Sequence, residues 1–299
     1  MTTPEQAPRQ ALDYALLLGL SVVWGSTFIL YKEALQVLAW GQVGLLRVLI
    51  SALCLLPLVY HHWGRVPRKA VPALLAVGLL GSGIPPFLFA LAQTRLDSGV
   101  TGILNALTPI FTFMVGLAFF HLRVGRGKIV GLVVGLLGAV GIVLTEGNGF
   151  GGKAVYGLFV LLATTCYGTA TNLIKAYLQD VPPLTITVFS LTALAIPALI
   201  ALPFSGLPQA WAETPGAWGA TGYVAIMAVA GTVVASYAYF MLIQRTDVVF
   251  ASVITYLIPV VALAWGYADG ERLQTGHAAS LVLILVAVRL IGKRDRSVQ

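Results

Sequence analysis

The chain has 299 residues, of which 58% are hydrophobic and only 10% charged, with a formal net charge of +7. Soluble domains carry about 45–50% apolar and about 25% charged residues, so a chain this poor in charge cannot cover a water-facing surface. The positive balance is not a nucleic-acid footprint either, because the cations sit in short polar connections and are not interleaved with aromatics on a soluble face.

Met1 to Gln10 is polar and has no cationic n-region, so no cleaved signal is expected and the first apolar run is kept as a span. Apolar runs between polar punctuation then predict an all-α polytopic membrane protein with ten transmembrane helices. These run over Leu12–Tyr31, Gly41–Tyr60, Val71–Ala92, Gly99–Phe120, Ile129–Thr145, Val155–Tyr177, Leu184–Phe204, Ala217–Ile243, Val248–Asp269 and His277–Ile291. A helix of about 20 residues crosses the ~30 Å of hydrocarbon in a bilayer. The connections are too short to hold a soluble catalytic domain. Cys54 and Cys166 fall inside apolar runs with no CxxC spacing, which predicts small buried side chains and neither a disulfide nor a metal site.

Thirteen cations fall on one side of this arrangement: Arg9, Arg65, Arg68, Lys69, Arg123, Arg126, Lys128, Lys175, Arg245, Arg289, Lys293, Arg294 and Arg296. Only Lys32, Arg95, Lys153 and Arg272 fall on the other. By the positive-inside rule both termini are expected in the cytoplasm, with the chain in a bacterial-type inner (plasma) membrane. Trp40, Tyr60, Trp63, Trp211 and Trp218 lie near span ends, as an interfacial aromatic belt requires.

The two halves of the chain align with one another. Shifted by 143 residues, Leu18–Lys32 falls on Leu161–Lys175, with Trp24 on Tyr167, Gly25 on Gly168, Ser26 on Thr169 and Lys32 on Lys175. Shifted by 150, Phe87 and Phe89 meet Tyr237 and Tyr239, Arg95 and Asp97 meet Arg245 and Asp247, and Asn105 and Pro109 meet Thr255 and Pro259. The extra seven residues fit the longer connection Ser205–Gly216. Residues 1–150 are therefore read as a first five-helix repeat and 151–299 as a second. Five spans is an odd number, so the second copy is expected to be inverted, an arrangement that places a transporter's substrate site near the midplane.

Trp24-Gly25-Ser26-Thr27-Phe28 resembles the WGSxF signature of EamA-type members of the drug/metabolite transporter superfamily. Arg47 matches that family's second-span arginine, Pro109 and Pro259 its fourth- and ninth-span prolines, and Gly270-Glu271-Arg272-Leu273 its segment before the last span. The resemblance covers essentially the whole chain. It implies a secondary, alternating-access carrier exporting small amphipathic metabolites through a central cavity lined by spans 1–4 and 6–9. Amino acids, aromatic ones included, are the expected cargo, and exporters of the YddG type are the branch it is most similar to. Two departures stand out: Phe120-His121-Leu122-Arg123 replaces the glutamate segment in the first half, and the seventh span has no counterpart of Arg47.

No Asp or Glu falls in the middle third of any span, so the cavity is expected to be uncharged and transport not to need a proton or sodium gradient. Pro85-Pro86, Pro109 and Pro259 remove backbone donors within spans and free carbonyls for local partners or for cargo. The rings of Trp24, Phe89, Tyr167, Tyr237, Tyr239 and Tyr256 either enclose an apolar cargo or pack helices together. Ser26, Thr27, Asn105, Thr169, Asn172 and Thr255 either fix its polar groups or bond helix to helix. Arg47, within snorkelling reach of the outer interface, either attracts a carboxylate or orients the span. Arg95/Asp97 and Arg245/Asp247 flank spans on opposite faces, as gate latches or with the aspartates as helix caps. Gly131, Gly135, Gly138 and Gly141 stripe the fifth span for close packing. The expected partners are a small-molecule substrate and the lipid bilayer, with no nucleic acid, metal or cofactor and a monomeric unit. The competing readings are a multidrug or other metabolite exporter of the same fold, a channel, and an intramembrane enzyme. The last would need a paired-Asp, Ser/His or HExxH arrangement within the spans, and His61-His62 is a loop pair without a third ligand.

Overall fold

A computed structural model describes residues 11–62, 64, 66–120, 126–145, 153–245, 254–272 and 274–292. Every regular element among them is helical. In hydrocarbon each backbone donor needs a partner within its own segment, which selects helices for apolar runs of this length. In chain order they are α1 (Ala11–Leu35), α2 (Trp40–His62), α3 (Arg68–Gln93), α4 (Ser98–Phe119), α5 (Arg126–Thr145), α6 (Ala154–Tyr177) and α7 (Pro183–Phe204). Then come a short helix over Leu207–Glu213, α8, which runs through Ala217–Ala228, Val229–Val234 and Ala235–Arg245, α9 (Ile254–Ala268) and α10 (Thr275–Gly292). Among the described residues seven helices are long and apolar enough to cross a bilayer, in α1, α2, α3, α4, α6, α7 and α8. The apolar stretches of α9 and α10, Leu257–Ala268 and Thr275–Ala287, are shorter. The expected ninth span begins at Val248, in residues 246–253 that lie outside the described set, and α9 is described from Ile254.

Four of these helices change winding in mid-course, α7 by a break at Ala193–Leu194. In α3, Leu79–Gly83 widens to π geometry, the Ile84 N–H reaching back to the Leu79 carbonyl at 2.8 Å, and Pro85 opens a new segment. In α8 the same widening occupies Val229–Val234, beginning 150 residues later, with no proline in the segment. Proline is thus not the common cause. A π turn leaves backbone carbonyls for other donors, and here Ala228 accepts from Ser51 Oγ at 3.3 Å and Gly231 from Trp24 Nε1 at 2.9 Å. α4 breaks at Ala106–Leu107, and Pro109 falls in the first turn of its second segment, where no helical N–H is lost.

Helix packing repeats between the halves. α1 packs on α9 as α6 packs on α4, α1 on α8 as α6 on α3, and α2 on α8 as α7 on α3, while α2·α7, α4·α9 and α5·α10 pair like with like. Close approach depends on two aligned glycines. A Cβ on Gly25 would overlap the Val261 side chain of α9, and one on Gly168 would lie 2.7 Å from the Thr112 backbone nitrogen of α4. On α5, Gly138 and Gly141 of the expected stripe face Ile284 and Ser280 of α10.

Candidate functional site

Two aromatic pairs each join a helix of one half to a helix of the other. Trp24 of α1 meets Tyr239 of α8 edge-on at 5.3 Å, and Tyr167 of α6 stacks on Phe89 of α3 at 6.0 Å. Since Trp24 aligns with Tyr167 and Tyr239 with Phe89, these are one contact built twice. Phe89, only 3% exposed, also lies over Tyr31 at 6.5 Å and takes Phe28 edge-on at 5.9 Å. Trp24 is anchored to α8 by its indole hydrogen bond to Gly231, one residue before Thr232.

Arg47 joins this cluster from α2. It is 9% exposed and turned inward, its Nη1 donating to the Tyr31 hydroxyl at 2.7 Å and its Nε to Thr232 Oγ1 at 3.3 Å. Its guanidinium carbon sits 5.3 Å from the centre of the Tyr31 ring. The snorkelling expected from the sequence is not adopted, because hydroxyls and a ring face offer the cation partners inside the bundle. The expectation of an uncharged centre is corrected at this point: among the described residues there is no acid in the cluster, but there is a cation. A charge at mid-span costs at least ~2.5–3.5 kcal/mol, so two neutral hydroxyls are weak company for it. Tyr31 was read from the sequence as the last residue of its span. α1 instead continues to Leu35, which carries Tyr31 a full turn inside, where it is 1% exposed and its hydroxyl donates to the Pro86 carbonyl at 3.2 Å.

The other candidate residues divide. Thr27 Oγ1 and Thr169 Oγ1 bond to carbonyls of their own helices, those of Trp24 and Thr165, at 2.6 and 2.9 Å. Asn172 Nδ2 donates to the carbonyls of Gly168 and Thr112, both at 2.8 Å, and so ties α6 to α4. Ser26 Oγ accepts from Trp265 Nε1 of α9 at 2.8 Å. Asn105 ends the first segment of α4, its carbonyl accepting from Thr108 Oγ1 at 2.7 Å; Pro109 follows half-buried, and Pro259 is buried within α9. Tyr237 is 48% exposed and stands outside the cluster that Tyr239 joins. The side chains of Arg245, Thr255 and Tyr256, and all of Asp247, lie outside the described residues.

A second polar constellation lies where α1 ends and α4 begins. Glu271, in the connection between α9 and α10, accepts from Ser98 N and Ser98 Oγ through Oε1, at 2.9 and 2.7 Å, and from Gly99 N through Oε2 at 2.9 Å. Lys32 Nζ donates to the same Oε1 at 3.0 Å and also pairs with Asp269. Burial pushes the Glu271 carboxyl up, but the hydrogen bonds from Gly99, Ser98 and Lys32 together outweigh it and hold it below the usual carboxylate range. Asp97 does occupy the N-cap position, yet its side chain makes no capping bond; the glutamate of the other half takes the free N–H groups. Arg95 is exposed, and Lys32 is bonded to Glu271 and Asp269.

The profile of the EamA-like transporter family matches this chain twice, over residues 12–144 and 155–293. Among relatives, an "Uncharacterized transporter" of Archaeoglobus fulgidus is 26% identical over 90% of this chain and 95% of its own length. The "Uncharacterized inner membrane transporter YedA" of Escherichia coli is 24% identical over 95% and 92%. A "Probable terminal-alkyne amino-acid exporter" of Streptantibioticus cattleyicolor is 25% identical over 94% and 95%. A protein of known crystal structure shares the fold with a TM-score of 0.62 at 18% identity, over 94% of this chain and 96% of that one.

Proposed function

This chain belongs to the EamA-like transporter family, and we propose that it is a secondary carrier exporting small amphipathic metabolites, amino acids with apolar or aromatic side chains foremost. It is a multi-pass membrane protein. In our reading it crosses the membrane ten times as two inverted five-helix halves, with both termini in the cytoplasm. The reading is of a carrier and not an enzyme.

The observation that carries it is the aromatic contact built twice, on α1 with α8 and on α6 with α3. Each pair includes a helix that widens to π geometry ten residues before its ring, at Leu79 before Phe89 and at Val229 before Tyr239. A widened turn is a weak point in the hydrogen-bond ladder, so α3 and α8 can bend on either side of a fixed ring. Two such helices related by the repeat suit alternating access, in which one repeat gates against the other around a fixed site: one bends to open the site to one side while the other holds it closed. The name of the Streptantibioticus cattleyicolor relative supports amino-acid cargo. The buried cation beside the rings disfavours lipophilic cations, which weighs against the multidrug alternative.

Uptake competition in proteoliposomes among amino acids, nucleosides and cationic drugs tests the reading. Competition by aromatic amino acids is expected; competition by lipophilic cations alone would end the amino-acid assignment.

A further inference from the structure

Arg47 lacks the partner its chemistry calls for. A guanidinium presents five N–H donors in a planar fork that matches a carboxylate through two parallel bonds. Here Nη1 and Nε reach only the neutral hydroxyls of Tyr31 and Thr232, the second at a long 3.3 Å. Among the described residues no carboxylate pairs with it and Nη2 makes no hydrogen bond. Nη2 lies near Gly231, 3.9 Å from where a Cβ there would stand, on the side where Thr27 packs against the same glycine. Asp269 and Glu271 are held by Lys32 and by the start of α4.

The surroundings fit one kind of occupant. The Tyr31 ring lies against the guanidinium and a stack runs on from it through Phe89 to Tyr167, while Trp24, paired with Tyr239, bonds to the carbonyl of Gly231 next to Thr232. A single planar anion on an apolar or aromatic body meets the fork with one end and the rings with the other. We propose that Arg47 docks the carboxylate of the cargo, so that the carrier takes small monocarboxylates with an apolar body and discriminates against their amides and amines. The inference rests on the carrier reading and narrows its substrate class. A carboxylate bridging Nε and the unbonded Nη2 replaces the long Thr232 contact with a charged pair and leaves the Tyr31 hydroxyl on Nη1.

The test is thermal stabilisation of the purified protein by phenylalanine, phenylalanine amide, phenethylamine and 3-phenylpropionate, repeated as competition for uptake in proteoliposomes. The two carboxylates are expected to stabilise and compete, with the amide and amine at least about tenfold weaker. Arg47→Lys should keep that order with weaker binding, and Arg47→Gln should abolish it. If Arg47→Gln does not fold, the wild-type panel and Arg47→Lys decide the matter. Equal effects of acid and amide on the wild type, a folded Arg47→Gln that keeps the preference, or stabilisation by none of the four compounds overturns the inference. Action by 3-phenylpropionate without phenylalanine leaves Arg47 as the anion site and removes amino acids as cargo. Action by the amide and amine alone removes the anion site and leaves the carrier standing.

Discussion

Glu271 closes the amino end of the helix that contains Gly99, accepting the Gly99 N–H at 2.9 Å from a position 172 residues further along the chain. The contact joins the two halves at one end of the bundle, where Lys32 of α1 and Ser98 of α4 bond to the same carboxylate. Removing that carboxylate strands backbone donors and leaves Lys32 with Asp269 alone. Glu271→Ala should cost about 2–3 kcal/mol, seen as a fall in detergent Tm of roughly 5–10 °C. Glu271→Gln, which retains one acceptor oxygen, should cost about half as much. A neutral result for Glu271→Ala would show that the contact contributes nothing to stability.

The same carboxylate sets an acid limit. Its value in the folded protein lies below its ordinary one, so the stability it contributes is fully present above the unfolded value of about 4.3 and is lost as pH falls through the folded value. Tm from pH 7 to pH 3 should be flat with respect to this group until about pH 4.5 and then fall. Glu271→Ala should show a shallower acid limb, by the part this group contributes.

The two aligned glycines should be intolerant of a methyl group. Gly168→Ala drives Cβ into the backbone of α4 and Gly25→Ala into Val261, so each should cost at least about 1–3 kcal/mol by overpacking. Gly219→Ala and Gly222→Ala in α8 meet nothing within 4 Å and serve as controls. They should be neutral or stabilising by up to about 1 kcal/mol, because alanine is the better helix former. Melting of the four variants in one detergent checks the contrast.

Orientation can be read by labelling. With Cys54 and Cys166 replaced, an impermeant thiol reagent added to intact cells should label Lys153→Cys and Arg272→Cys. It should spare Lys69→Cys until the membrane is opened. All three positions are exposed on the protein, so access depends on the side of the membrane. The opposite pattern would reverse the proposed topology.

Helix boundaries were legible because apolar runs end at polar punctuation, and most predicted ends fall within a few residues of the observed ones; Val155–Tyr177 against Ala154–Tyr177 is typical. Trp24, Phe89, Tyr167 and Tyr239 stood out in the sequence as rings that enclose cargo or pack helices, and the aligned halves gave their equivalences but not their contacts, which run Trp24 to Tyr239 and Phe89 to Tyr167. What the sequence hid depends on where a side chain turns. Arg47 had the length to reach either the interface or the interior, and only the Tyr31 and Thr232 hydroxyls decide between them. Tyr31 was obscured by an underestimated end to α1. Glu271 looked like a departure from symmetry because its partners at Ser98 and Gly99 are remote in sequence, while Asp97 beside them looked like the cap. The π turns leave no mark in composition: one precedes two prolines and the other has none.

Counterflow tests the carrier account most directly. Proteoliposomes loaded with unlabelled phenylalanine and diluted into trace labelled phenylalanine, with no proton or sodium gradient, should accumulate label transiently above equilibrium. The initial rate should saturate with external concentration. Flux that rises linearly with concentration and shows no stimulation by internal substrate would contradict alternating access, and accumulation that strictly requires an imposed gradient would contradict transport by exchange alone.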